Sequence, residues 1–145
     1  MKCQRLLASL VLLTFTGAAA LGQDKEPPLA KEKEPDLMAR LKKVEGSFSL
    51  IVSIQVKKGE EKAMLDAAKP CIAATVKETG CKRYELHQDL ETPTKFVLIE
   101  RWDSVKDLEA HMDAAHTKTL LAKVAKIAAG PPKIEIAKRR VQPKK

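Results

Sequence analysis

Residues Gly80 to His116 read G-C-K-R-Y-E-L-H-Q-D-L-E-T-P-T-K-F-V-L-I-E-R-W-D-S-V-K-D-L-E-A-H-M-D-A-A-H, and this stretch decides the fold. Gly80 is suited to end a helix in a left-handed cap. The residues after it, with Tyr84 and Leu86, predict a strand over Lys82–Asp89. Leu90 to Thr94, with Pro93, predicts a turn, and Lys95 to Trp102 predicts a second strand. Strands joined so closely form an antiparallel hairpin. Ser104 then caps a helix, with Asp107 three residues on as a weaker capping box. Leu108, Met112 and Ala115 are expected to face inward from that helix, which delivers His111 and then His116.

The flanking sequence completes a sheet and covers it. Phe48 to Val56 (F-S-L-I-V-S-I-Q-V) is β-branched and aromatic and predicts a buried strand. A turn at Lys57-Lys58-Gly59 leads into a helix running to about Thr79, with Leu65, Ala68, Ile72 and Val76 as its apolar stripe. Pro70 lies inside that helix and is expected to remove one hydrogen bond and kink it. A further helix, from about Thr117 to Ala128, is expected to bury Leu120, Leu121, Val124 and Ile127. Gly130-Pro131-Pro132 stops it, and Lys133 to Arg140 alternates as a last strand. The order β-α-β-β-α-(α)-β is an α+β, ferredoxin-like split βαβ arrangement: a four-stranded antiparallel sheet with helices on one face. The first and third strands carry apolar residues on both faces, which predicts a homodimer packed through the uncovered sheet face.

The chain of 145 residues, 44% of them hydrophobic, is long enough for one such domain. Residues 1–22 have the form of a secretory signal: a basic start at Lys2 and Arg5, an apolar run from Leu6 to Ala20, and small residues around Gly22. The expectation is an exported protein, periplasmic or secreted, with no membrane attachment after cleavage. Cleavage removes two cations and no acid, lowering the formal charge from +8 to +6. That charge is scattered apart from a basic C-terminal run, and with export it argues against nucleic acid as a partner. Residues 23–46 are dense in Lys, Glu and Pro and read as an exposed tether, within which Leu37, Leu41 and Val44 allow one short helix to dock. Residues 47–140 form the folded domain and 141–145 a basic tail. Cys71 and Cys81 remain after cleavage and are expected to be two buried thiols rather than a disulfide.

The run from Phe48 to Arg140 resembles the antibiotic biosynthesis monooxygenase (ABM) domain of the dimeric α/β-barrel superfamily. The resemblance is carried by K-K-G-E-E, E-T-G-C-K-R-Y-E-L-H-Q-D, F-V-L-I-E-R-W and A-H-M-D-A-A-H, which cover about two thirds of the chain. It implies a dimeric α/β barrel and a cofactor-independent monooxygenase acting on a quinol or a related small aromatic molecule. The alternative on the same fold is a non-catalytic small-molecule-binding or stress-related dimer, and a third is an isomerase. Quinol-oxidising members tend to carry an aromatic after the second histidine, where this chain has Thr117.

Such a reaction needs a site that excludes water and helps remove a phenolic proton, for which histidine is suited. His111 follows Leu108 by three residues, at the edge of a buried helix face, where it either points into a cavity or is satisfied at the core margin. His116, five residues on, lies about 140° round a continuous helix and converges with His111 only if the helix breaks near Asp113 to Ala115. His87 reads as a surface or interface histidine. Trp102 either walls an aromatic ligand or anchors the core. Tyr84 offers a phenol, and Glu100, among apolar neighbours, needs a partner such as Lys82, Arg83 or a residue of a second subunit. No H-x-x-x-H, C-x-x-C or H-x-x-E spacing occurs, so neither metal nor cofactor is expected.

Overall fold

A computed structural model describes residues 36–141. The expected signal peptide, the tether before Asp36 and the last four residues lie outside the described residues. The elements in order are α1 (Leu37–Leu41), β1 (Phe48–Gln55), α2 (Glu61–Thr75), β2 (Cys81–Gln88), β3 (Lys95–Trp102), α3 (Val105–Asp113), α4 (Ala115–Ile127) and β4 (Lys133–Ala137). The strands form one antiparallel sheet in the order β2-β3-β1-β4. This is the ferredoxin-like α+β arrangement that the sequence predicts. Among the described residues no helix is long and apolar enough to cross a membrane.

Strict alternation on the two central strands makes the sheet two-faced. Phe48, Leu50, Val52 and Ile54 of β1, and Phe96, Leu98, Glu100 and Trp102 of β3, are all buried on the helix side. Ser49, Ile51 and Ser53, with Val97, Ile99 and Arg101, fall on the opposite face and are only half-buried. Leu41 is buried in the same core, so α1 packs with the domain, and the Arg40 guanidinium ties it down by donating to Ile134 O at 2.8 Å.

Several helix boundaries and faces differ from the sequence reading. α2 ends at Thr75 rather than near Thr79, and residues Lys77 and Glu78 follow in tight turns that bond to Ala74 O and Thr75 O. Its buried stripe is Met64, Ala67, Ala68, Cys71 and Thr75, while Leu65 and Val76 are 37% and 53% exposed. Small residues let this helix sit close to its neighbours, which leaves the branched side chains at the margin. Leu121 and Ala115, expected inside, are exposed, and Thr117 is buried instead. β4 is shorter than expected. Cys71 and Cys81 are both free thiols, the first buried and the second half-buried.

Gly80 is the tightest junction. Its φ of +81° is accessible to glycine at little cost, and an added Cβ would overlap the Asp107 side chain. Asp107 is itself held by the Ser104 hydroxyl, which donates to it at 2.6 Å, while Asp103 N–H donates to Gly80 O at 2.9 Å. The end of α2 and the start of α3 are thereby fixed against each other. Gly80→Ala is expected to lower unfolding stability by about 2 kcal/mol or more, through left-handed strain added to the overlap. Urea unfolding compared with the parent protein measures this.

Candidate active site

Glu78, two residues before Gly80, sits in the turn leaving α2. His111 sits on the last turn of α3, and His116 on the first turn of α4. The two helices are separate because Ala114 adopts an extended conformation (φ −66°, ψ 144°) that ends one and begins the other. That break turns His116 back, and the two imidazole rings lie 5.7 Å apart, centre to centre. The sequence made their convergence conditional on a break at this place, and the break is present.

The Glu78 carboxylate lies between the rings. His111 Nδ1 is 2.7 Å from one oxygen and His116 Nε2 is 2.8 Å from the other. The two contacts are not equivalent. The first is an aligned hydrogen bond, whereas His116 Nε2 is buried and has no hydrogen-bond partner in line with its ring. Thr117 Oγ1 stands 3.2 and 3.3 Å from the two nitrogens of His111 and can serve only one of them. His111 is 2% exposed, and burial lowers its pKa, opposed by the hydrogen bond and charge of Glu78. The Glu78 carboxylate can only accept at this contact, so His111 Nδ1 carries the proton and the neutral ring, which burial favours, leaves Nε2 unprotonated.

Aromatic groups pack around His111. Trp102 lies 4.8 Å from it and Tyr84 5.2 Å, with 6.4 Å between the two aromatics. The indole N–H of Trp102 donates to Glu100 Oε2 at 2.8 Å. Glu100 thus takes an uncharged partner. The cations expected for it are engaged elsewhere, Lys82 with Asp103 and Arg83 with Glu85. Glu100 is 6% exposed, and burial pushes its pKa up to about 7. The Tyr84 hydroxyl reaches the Cys71 thiol at 3.9 Å, and burial raises the pKa of both.

A cavity of about 120 Å³ opens between the sheet and the helices. Its wall is apolar, with Leu50, Val52, Leu98 and Leu108, and its polar groups are Tyr84, Glu100, His111 and Thr117. Trp102 does not line it but stands fully buried behind His111, so of the two roles open to it the structure gives it the packing one. His116 and Glu78 do not line the cavity either. His87 is on the surface beside Glu85, away from this group.

Sequence reasoning missed Glu78. The available signal was a carboxylate just past a helix C-terminus, where the helix dipole disfavours negative charge and a partner is needed. The expectation of no metal rested on linear spacing, and the three donors Glu78, His111 and His116 share no motif.

The family profile for antibiotic biosynthesis monooxygenases matches residues 47–123, from the start of β1 into α4. This chain belongs to that family. Over 81 residues it is 30% identical to the protein named "Probable quinol monooxygenase YgiN" of Escherichia coli, an alignment covering 49% of this chain and 78% of that one. A Nitrosomonas europaea structure bearing the family's name superposes with a TM-score of 0.61 at 32% identity, covering 64% of this chain and 90% of the other. The PA3566 protein of Pseudomonas aeruginosa does so at 0.62 and 26% identity, covering 67% and 97%. The family match spans β1, β2 and β3 and the two histidines beside Glu78.

The buried carboxyl gives a pH signature. Because the folded-state pKa of Glu100 is raised from 4.5 to about 7, its proton favours the fold fully below pH 4.5, and that stability is lost as pH rises through 7. Glu100→Gln keeps an acceptor for the Trp102 N–H and removes the titration. The variant is expected to match the parent near pH 4 and to exceed it at pH 8 by on the order of 3 kcal/mol. Chemical denaturation across that pH range measures the difference.

Proposed function

We propose that this protein is an ABM-type monooxygenase that uses dioxygen to oxidise a hydroquinone or a related electron-rich phenol, without an organic cofactor. The observation that carries the reading is the buried His111 at the wall of an apolar cavity, with the half-buried Glu78 carboxylate bonded to its Nδ1 at 2.7 Å. Glu78 fixes the tautomer, so His111 Nε2 can take a proton, and the carboxylate stabilises the imidazolium that forms. The substrate supplies the electrons. Loss of its phenolic proton to His111 leaves a phenolate that reduces dioxygen by one electron. The radical pair joins at a ring carbon, and loss of water leaves a hydroxylated quinone. One oxygen atom of dioxygen thus stays on the ring, and the other leaves as water with two hydrogens from the substrate. All the electrons that reduce dioxygen come from the ring, so no outside reductant is needed.

Cavity size narrows the substrate. An apolar cavity of roughly 150 Å³ holds one benzene ring, so about 120 Å³ sets a single ring as the upper limit and leaves no room for a fused polycycle. Tyr84, Glu100 and Thr117 are the groups able to hydrogen-bond its hydroxyls. Glu100, held partly protonated, can donate as well as accept. The same reading has a second copy packed on the half-buried sheet face around Ile51, Val97 and Ile99, and an export signal at residues 1–22. Sedimentation and N-terminal sequencing of the protein made in its host measure these two points.

The central test is oxygen uptake by metal-stripped protein with single-ring hydroquinones and with polycyclic phenols. Uptake is expected with the single-ring compounds, falling about 100-fold or more in His111→Ala and unchanged in His87→Ala. Uptake that persists in His111→Ala removes the histidine from the reaction. A folded protein with no uptake from any compound is instead a binding module.

A further inference from the structure

We infer that Glu78, His111 and His116 form a binding site for a divalent transition-metal cation, with zinc the best-matched ion. Each of the three residues offers one donor atom, and these atoms all lie within 4.8 Å of one another. Two imidazole nitrogens and one carboxylate are an established donor set for zinc, with a fourth position left for water or another ligand. Such a set binds zinc, copper and nickel in preference to magnesium or calcium, which favour oxygen alone.

The decisive detail is the unequal pair of contacts at Glu78. Two neutral histidines donating to one carboxylate would satisfy both facing ring nitrogens and both oxygens, and the site would need nothing more. His116 Nε2 does not do this: it is buried, 2.8 Å from Glu78 Oε1, and out of line with it. A buried ring nitrogen without an aligned partner is destabilising, because it has lost its water and gained nothing in return. A cation lying between Nε2 and the carboxylate would use the ring lone pair along its own axis and remove that cost.

The surroundings fit the same reading. Glu78 pairs with the two histidines, and among the described residues no lysine or arginine forms an ion pair with it. The cation takes the place of the proton now shared by His111 Nδ1 and Glu78 Oε2. The other nitrogen of His111 keeps Thr117 Oγ1 at 3.3 Å, the outer hydrogen bond that orients a ligating imidazole. The donors come from the turn after α2, from α3 and from α4, so they are held by packing rather than by one flexible loop.

This site does not depend on the proposed oxidation, and it bears on it. With a cation on Nδ1, His111 can no longer return to the Glu78-bound neutral form that accepts a phenolic proton, so zinc is expected to inhibit.

Untagged, chelator-stripped full chain titrated with zinc by calorimetry, and with cobalt by visible absorption, tests the assignment. One cation per chain is expected, with the d–d bands of a nitrogen- and oxygen-ligated cobalt centre. Affinity is expected to fall at least tenfold in Glu78→Gln and in His116→Asn and to stay unchanged in His87→Asn, with circular dichroism reporting the fold of each. No saturable binding, or binding that a folded cluster variant retains at the parent's affinity, overturns the site. Either cluster variant that folds is sufficient for the comparison. Because binding is read without turnover, a protein that oxidises no quinol still decides this point, and one that oxidises quinols without binding zinc refutes only the cation site.

Discussion

One carboxylate gathers the candidate site of this protein. Glu78 reaches a histidine on each of two successive helices, and the reach depends on backbone geometry at both sides of it. Gly80 turns the chain sharply enough to bring the end of α2 against the start of α3. Ala114 breaks what would otherwise be one long helix, and so places both rings on the same side. A side chain at the first position, or a continuous helix through the second, would separate groups that now lie within hydrogen-bonding distance.

Around that carboxylate the core accepts polar groups that a stability-driven interior would exclude. Glu100, Thr75, His111 and Thr117 are all buried within a shell of aromatic and aliphatic side chains. Burying such groups is costly unless each finds a partner. Thr75 bonds back to Cys71 O at 2.8 Å and Glu100 accepts from Trp102. The two acids solve the problem differently. Glu78 is partly exposed and faces two imidazoles, whereas Glu100 has an indole N–H and responds by holding its proton.

The sheet was legible because its signal is local and strong. Alternation from Phe48 and from Lys95 to Trp102, a proline-bearing turn and a glycine stop leave little choice of topology. Helix faces were less legible. Along α2 the branched residues and the small residues trace two parallel stripes, and hydropathy favours the branched one, but close packing puts Ala67, Ala68 and Cys71 inside. The Ala114 break was legible only as a condition. Alanine is the best helix former, so nothing at Asp113 to Ala115 announces a stop, and tertiary packing imposes it. Glu78 was invisible for the same reason: its partners lie more than thirty residues away, and only the closed fold brings them near.

β1 is synthesised first among the strands and sealed last. It occupies the interior of the sheet, yet its neighbours are β3 and β4, which arrive only after most of the domain has been made. Until then Phe48 to Ile54, uncharged and rich in β-branched residues, presents two bare edges, the kind of segment that pairs with other chains. Long-range closure of this sort slows folding, because loop entropy is lost before the contacts are gained. The nascent chain therefore passes through a window of aggregation risk that ends only when Lys133–Ala137 docks, and the last short strand matters more to yield than its five residues and modest burial imply.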